Sequence, residues 1–491
     1  MLLFLLLLLS FFTYYVVKRS VAGITRTPTW ILWLVMMTPA FVLAVWSLSG
    51  RGNDPFPLGL LLGLFIVCPV VYWMLIQWGR LSPSKQPKEA SQSSTAKVTK
   101  ADPASGAVRP IDKDEEAVLQ HCFPWSVYYL QNVEYRPQAL ICRGQLRSSP
   151  TVAYETVREN VEANFGQRFL VVFQEGLNGK PFFALLPNPE QRRVKEAAQP
   201  ERLTRPGIAL GLLMVTLFTT TVVGASFAGV PEDSLRADPT LFFQGLPYGL
   251  ALMVILGVHE LGHYLMARRY RMKATLPYFL PIPFFIGTLG AFIQLRSPVP
   301  NRRALFDVGI AGPLAGLVVS IPLLVWGLVH SEIVPMPADA SLLNFKALDP
   351  GASIALTLLS KLALGNQLTL ESAIHLHPVA IAGCLGLVVT ALNLMPVGQL
   401  DGGHIVHAMY GQRTGAFIGQ ICRFLVLGLA IIHGELLIWA ILLFFIPAVD
   451  EPALNDVSEL DDKRDLWGLV ALTLLVLIIL PTPGALKALL F

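Results

Sequence analysis

The chain has 491 residues, of which 54% are hydrophobic and 14% charged, with a mean hydropathy of +0.57 and a formal net charge of +4. A soluble domain carries about 25% charged residues, so these values exclude a wholly soluble protein. They leave room for one soluble domain on a polytopic membrane chain. The five cysteines (Cys68, Cys122, Cys142, Cys384 and Cys422) form no Cys-x-x-Cys pair, which excludes an iron–sulfur or zinc-knuckle pattern. The spacing of Cys122 and Cys142 is not of the secreted type and does not favour a disulfide between them.

In chain order, apolar runs near 2–17, 30–48 and 57–78 predict three transmembrane helices within residues 1–80. The first reads as a retained anchor with its N-terminus outside, because Lys18 and Arg19 follow it and no positive region precedes it. Residues 81–112, rich in Ser, Lys, Ala and Pro, cannot bury a core and read as a flexible linker. Residues 113–205 regain order as a small α+β domain. Strands are expected at 139–142, 169–173 and 181–186, with a turn at 175–179. A helix is expected over 151–165, with Val157, Val161 and Phe165 on one face.

Residues 206–491 form the membrane-embedded domain, with apolar runs near 207–229, 246–267, 304–329, 374–395, 415–432, 435–448 and 466–481. The pair at 415–432 and 435–448 reads as a tight helical hairpin turned at His433, Gly434 and Glu435. Residues 354–364 read as an amphipathic interfacial helix. Positive charge follows alternate spans: Lys18, Arg19 and Arg26, then the lysines beyond Arg80, then Arg268, Arg269, Arg271 and Lys273. Loops 50–56 and 230–240 carry few such charges. The positive-inside rule then orients the soluble domain toward the cytoplasm. The fold class is an α-helical polytopic membrane protein with a small cytoplasmic α+β domain.

The run Val258-His259-Glu260-Leu261-Gly262-His263 lies inside one of these apolar stretches. Positions i and i+4 share a helix face, so His259 and His263 can hold one metal. Zinc lowers the pKa of a bound water to about 7, and Glu260, beside the first histidine, can take its proton. Each ionisable group at membrane depth costs roughly 2.5–3.5 kcal/mol on insertion scales, so three together call for a compensating function.

A catalytic zinc normally has three protein ligands and one open position. The best candidate for the third is Asp401, in the stretch from Asn393 to Gly403 that closes the 374–395 run. The charge argument brings that run back to the cytoplasmic side, at the depth of His263. Pro396, Gly398, Gly402 and Gly403 break the helix there, and broken backbone at membrane depth is tolerated only inside protein or beside a water-filled cavity. The Asn393 amide can hold a substrate backbone or an oxyanion; a helix–helix hydrogen bond is its bland alternative. On these residues the leading reading is a protease that cuts within or beside the bilayer.

His-Glu-Leu-Gly-His, followed by Asn393-x-x-Pro396-x-x-x-x-Asp401-Gly402 in a later span, resembles the site-2 protease family of intramembrane zinc metalloproteases. The resemblance implies zinc on His259, His263 and Asp401, with Glu260 as the general base. It also implies a re-entrant segment between the two motifs. Residues 277–295 fit, because Pro281, Pro283, Gly287 and Gly290 interrupt an otherwise apolar run. Such a segment can present an edge strand to an extended substrate.

Three further stretches resemble the ethylene-dependent gravitropism-deficient and yellow-green (EGY)-like subfamily. They are Arg143-Gly144-Gln145-Leu146-Arg147, in which Gln145 stands where the subfamily has Asn, Ala311-Gly312-Pro313-Leu314-Ala315-Gly316, and Leu454-Asn455-Asp456-Val457. The resemblance covers about residues 125–480 and leaves out the first 110. With no Arg/Ser-rich transit peptide, the chain reads as bacterial, and the resemblance implies a cyanobacterial source.

The sequence therefore reads as a multi-pass zinc metalloendopeptidase of the plasma or thylakoid membrane. Its cofactor is Zn2+. Its partners are the lipid bilayer and a transmembrane protein substrate, which the resemblance implies has already been shortened by another protease. It cleaves in or near transmembrane segments, as in regulated intramembrane proteolysis. No nucleic-acid module, Walker loop or dinucleotide fingerprint is present, and the sequence gives no reading of oligomeric state. A membrane metal transporter and a catalytically silent membrane scaffold are the rival classes. His404 and His407, which follow Asp401, are not needed as ligands. His375 and His377 fall at the outer end of their span. Arg302 and Arg303 are expected to set topology, and 451–465 to be a solvated loop.

Overall fold

The computed structural model describes residues 27–48, 111–136, 139–176, 178–188, 205–337, 344–369, 371–432 and 436–490, with scattered positions between 10 and 75. The chain divides into two units, 1–103 and 104–491. In the first, the 30–48 run forms helix α1 (Thr29–Leu48). Thr27 Oγ1 donates to Leu75 O at 2.9 Å, and Trp33 Nε1 donates to Ser10 O at 3.0 Å. Most of the runs at 2–17 and 57–78, and of the linker at 81–112, lie outside the described residues. So does the turn at His433, Gly434 and Glu435.

The second unit begins with a sheet and two helices. The helix at Lys113–His121 (α2) starts on a capping box between Asp112 and Glu115. Strands β1 (Tyr128–Arg136), β2 (Ala139–Leu146), β3 (Phe169–Glu175) and β4 (Pro181–Pro187) form an antiparallel sheet of order β1-β2-β4-β3. Helix α3 (Pro150–Phe165) starts at Ser149, whose side chain accepts from the Val152 amide, and buries Ala153, Tyr154, Val157 and Val161. Phe173 and Phe183 stack at 4.1 Å in the core, with Tyr128 edge-on to Phe183 at 4.9 Å.

Sequence periodicity missed α2 and β1. β1 is an edge strand in which only Tyr128 is fully buried, so its outward Gln131, Asn132 and Glu134 mask the alternation. Gly144 faces a bulge in β1 between Leu130 and Asn132, where a Cβ would lie 2.1 Å from Tyr129 O. Any side chain at that position of the Arg143–Arg147 element would push β1 away. Cys122 and Cys142 are buried free thiols, and burial pushes Cys142 up to about 12.

Helices α4 (Pro206–Phe227), α5 (Leu246–Arg269), α6 (Arg302–Val329), α8 (Pro378–Leu394), α10 (Gln412–Ile432), α11 (Leu437–Phe445) and α12 (Asp462–Ile479) follow, with α7 (Ile354–Leu364) and α9 (Asp401–Tyr410) between them. Among the described residues, four helical stretches are long and apolar enough to cross a membrane: Pro206–Phe227, Pro239–Arg269, Arg302–Val329 and Gln412–Ile431. A fifth joins α12 to α13 (Gly484–Leu490) across an 85° bend.

The 374–395 run is divided. Its first residues lie in strand β8 (Ser372–His375), which pairs with β7 (Glu332–Pro335), and the 17-residue α8 takes the rest. α8 is the most enclosed helix, with residues 379–387 all buried, and it packs backbone-close on α6. A Cβ on Gly327 would lie 2.4 Å from Ala380 N, and one on Gly383 would lie 2.7 Å from Leu324 Cα.

Residues 277–295 form a β-hairpin of β5 (Tyr278–Pro281) and β6 (Thr288–Phe292). Its tip is pinned to the helices: Thr219 Oγ1 donates to Gly287 O at 2.7 Å, and Tyr248 OH donates to Ile286 O at 2.8 Å.

Candidate metal centre

His259 and His263 both lie on α5 and face inward, with only 3% and 7% of their surfaces exposed. Their Nε2 atoms are 3.2 Å apart. Asp401 is the first residue of α9, and its Oδ2 lies 3.5 Å from His259 Nε2 and 3.2 Å from His263 Nε2. Among the described residues these three form the one group of His, Cys, Asp or Glu with metal-ligand spacing.

Tetrahedral zinc, with bonds of about 2.0–2.2 Å to nitrogen and carboxylate oxygen, sets its ligand atoms roughly 3.3 Å apart. The donor set therefore fits the ion in chemistry and in spacing. His263 Nδ1 lies 2.7 Å from Val308 O and donates to it, which leaves the Nε2 lone pair directed at Asp401 and His259.

Space for the two rings is made by α6. Gly309, Gly312 and Gly316 lie on one face of that helix at spacings of three and four. A Cβ on Gly312 would fall 2.1 Å from His263 Nε2, and one on Gly316 would fall 3.2 Å from His259 Nδ1. A Cβ on Gly309 would meet His404 Cβ at 3.2 Å and Asp401 O at 3.3 Å. The stretch Ala311–Gly316 is thus the wall of the centre.

Asp401 is delivered by the broken backbone after α8. Gly398 has a φ of +51° and sits where a Cβ would overlap Pro447 O. Cβ atoms on Gly402 and Gly403 would lie 1.9 Å from Leu394 O and 2.1 Å from Gly398 O. The two glycines after Asp401 let α9 start directly against the end of α8.

Glu260 is 8% exposed and lies close enough to His263 and Asp401 to interact with both electrostatically. Strand β6, which Ile293 follows, packs against α5. Asn393, near the C-terminal end of α8, places its Nδ2 3.0 Å from His259 Nε2. The structure thus brings together His259, Glu260, His263, Asn393 and Asp401.

One expectation needs correction. Residues 451–465 are not a freely solvated loop. Asn455 and Asp456 are 3% and 4% exposed, and Asp450, just before the stretch, is 6% exposed. Arg464 pairs with Asp307 at 2.7 Å and also with Asp461. Arg302, expected to set topology, is buried and also reaches Asp456 at 3.3 Å. His404 and His407 both bond Asp450, at 2.8 and 2.7 Å, and not the metal-ligand group. His377 caps the start of α8 by accepting from the Val379 amide at 3.2 Å, so it and His375 lie at the other end of that helix from Asn393. Sequence reasoning missed the part played by Asp450, Asp456 and His407. The stretch Leu454–Val457 carried the one signal that pointed there.

Residues 248–432 match the model of peptidase family M50. The matched stretch holds the paired histidines, Asn393 and Asp401, and ends with α10. The chain is similar to the Probable zinc metalloprotease EGY2, chloroplastic, of Arabidopsis thaliana, at 30% identity over 370 residues, which are 74% of this chain and 64% of the relative. It is 28% identical over 400 residues to the Probable zinc metalloprotease EGY1, chloroplastic, of Oryza sativa subsp. japonica, covering 75% of this chain and 67% of the relative. It is 34% identical over 238 residues to the Arabidopsis thaliana EGY1 protein of the same description, covering 48% and 43%. The match spans slightly less than two thirds of the first of these relatives. No solved structure matches the chain.

Proposed function

We propose that this protein is a zinc-dependent intramembrane endopeptidase acting on transmembrane segments of membrane proteins. One observation carries the reading. Three ligand-type atoms from α5 and α9 converge within 3.5 Å at the foot of a candidate span, with both histidines buried and a carboxylate beside them. The M50 match over the same residues and the names of the relatives support it.

In this reading His259, His263 and Asp401 hold zinc, which supplies Lewis acidity toward water and toward a peptide carbonyl. Glu260 takes the proton of the attacking water and returns it to the departing amine as the C–N bond breaks and the new C–O bond forms. The Asn393 amide donates to the substrate carbonyl as negative charge grows on its oxygen. The β5–β6 hairpin supplies an extended neighbour for an unwound substrate, since β6 packs against α5, the helix that carries Glu260. The positive-inside pattern supports a sheet domain on the cytoplasmic side of a plasma or thylakoid membrane. The substrate is a membrane protein already shortened by another protease.

A transporter needs ligating groups in succession along a path. The single group with ligand spacing among the described residues favours the protease. Asp401→Ala, purified in detergent, is expected to lose most of its zinc by elemental analysis; full retention removes Asp401 from the centre. Asn393→Ala is expected to keep its zinc and lower kcat on a transmembrane peptide by roughly 10²–10³-fold, the usual cost of an oxyanion donor. Unchanged kcat leaves Asn393 only its hydrogen bond between helices.

A further inference from the structure

His407 lies on α9 six residues beyond Asp401, and only 1% of it is exposed. Its Nδ1 is 2.7 Å from Asp450 Oδ2, and its Nε2 is 2.9 and 3.1 Å from the two Asp456 oxygens. Ionised carboxylates only accept hydrogen bonds, so contacts from both ring nitrogens to carboxylates favour the imidazolium form, which donates from each. Burial pulls its pKa down, but the bonds to Asp450 and Asp456 outweigh that and push it up to about 9. Arg302 adds a second cation on Asp456, and His404 a second donor on Asp450. Two cations thus face two carboxylates in a buried cluster, which is stable only while every partner is present.

The two carboxylates belong to a segment that touches three parts of the molecule. Phe173 N donates to Leu454 O at 2.7 Å and Asp456 N donates to Phe173 O at 2.9 Å, which extends the β3 edge of the sheet. Leu454 N donates to Val299 O at 2.9 Å and Asn455 N donates to Pro300 O at 3.0 Å, just ahead of α6 with its glycine face. His404 and His407 attach α9 to the same segment. α9 has only 10 residues. Its start rests on the α8 turn through Gly402 and Gly403, its sides pack against α6, α10 and α12, and His404 and His407 add the polar clamp.

We infer that His407 is a positioning residue for the metal centre: held between Asp450 and Asp456, it sets where α9 presents Asp401 and ties that placement to the four-stranded sheet. The inference rests on the reading of Asp401 as a zinc ligand.

The test compares full-length wild type, His407→Gln, Asp456→Asn and Asp401→Ala in nanodiscs. His375→Gln, at the far end of α8, is the control. Zinc dissociation constants come from chelator competition, and kcat and KM from cleavage of a transmembrane peptide. His407→Gln is expected to weaken zinc roughly 10–100-fold, the usual effect of losing support behind a ligand. Its kcat should fall at limiting zinc with KM unchanged, and recover when zinc is raised. A purely structural role lowers the melting temperature without moving the zinc constant. If His407→Gln does not fold, Asp456→Asn, which keeps the side chain's size, carries the same expectation. Wild-type zinc affinity and kcat in the folded variant, while Asp401→Ala loses zinc, overturn the inference alone. Zinc retained by Asp401→Ala as well overturns the underlying reading of the centre.

Discussion

Gly312→Ala should empty the metal centre while leaving the protein folded. The new methyl would begin 2.1 Å from His263 Nε2 and 2.5 Å from two ring carbons, distances that real Cβ atoms essentially never show. The ring has nowhere to retreat. It is 7% exposed, and its Nδ1 is bonded at 2.7 Å to Val308 on the same helix that carries the glycine. Overpacking of this kind costs about 1–3 kcal/mol, against a total stability of about 5–15 kcal/mol for a typical domain. The fold can absorb that, whereas a ligand set needs its atoms held within a few tenths of an ångström. Zinc affinity is therefore expected to fall by two orders of magnitude or more, taking cleavage with it. Gly211→Ala and Gly428→Ala add the same methyl where nothing lies within 4 Å, and both should behave as wild type. Elemental analysis and thermal melting of the three variants check this. A Gly312→Ala protein with a full zinc complement would mean that α6 is not the wall of the centre.

Glu260→Gln is expected to do the reverse: keep zinc and lose cleavage. The change preserves shape and leaves His259, His263 and Asp401 untouched, so zinc content should match wild type. It removes the carboxylate that accepts a proton, and general-base assistance contributes roughly 10²–10⁴-fold to such reactions. The variant should therefore cleave a transmembrane peptide at least a hundredfold more slowly and trap uncut substrate. The experiment also separates the rival classes, since a transporter would lose ion flux but show no peptide cleavage in the wild type. Wild-type cleavage by Glu260→Gln would remove Glu260 from the chemistry.

How much of the centre was legible in the chain follows from the range of the forces involved. His259, Glu260 and His263 could be read directly, because helical geometry alone sets i and i+4 on one face. Asp401 was found because Pro396, Gly398, Gly402 and Gly403 break an apolar run beside a carboxylate. Helix α3 and strands β3 and β4 followed from burial periodicity. β1 did not, since its outer residues face solvent at a sheet edge. The 451–465 stretch misled for a related reason. Its composition is that of a solvated loop, and its burial depends on His407, Arg302 and the edge of β3, all far away in the chain.

By itself, then, the sequence determined the apolar helices over 207–229, 246–267, 304–329 and 415–432, the paired histidines with their glutamate, and the aspartate in a broken helix, because each is written in spacing over a few residues. Only the tertiary structure decided that Asp401 meets His263 at 3.2 Å, that three glycines of α6 clear the space, and that Asp450 and Asp456 hold α9 against the sheet. The physical reason is that a buried charge or a missing side chain gains its meaning from what packs against it. Those partners come together only when distant segments fold onto one another.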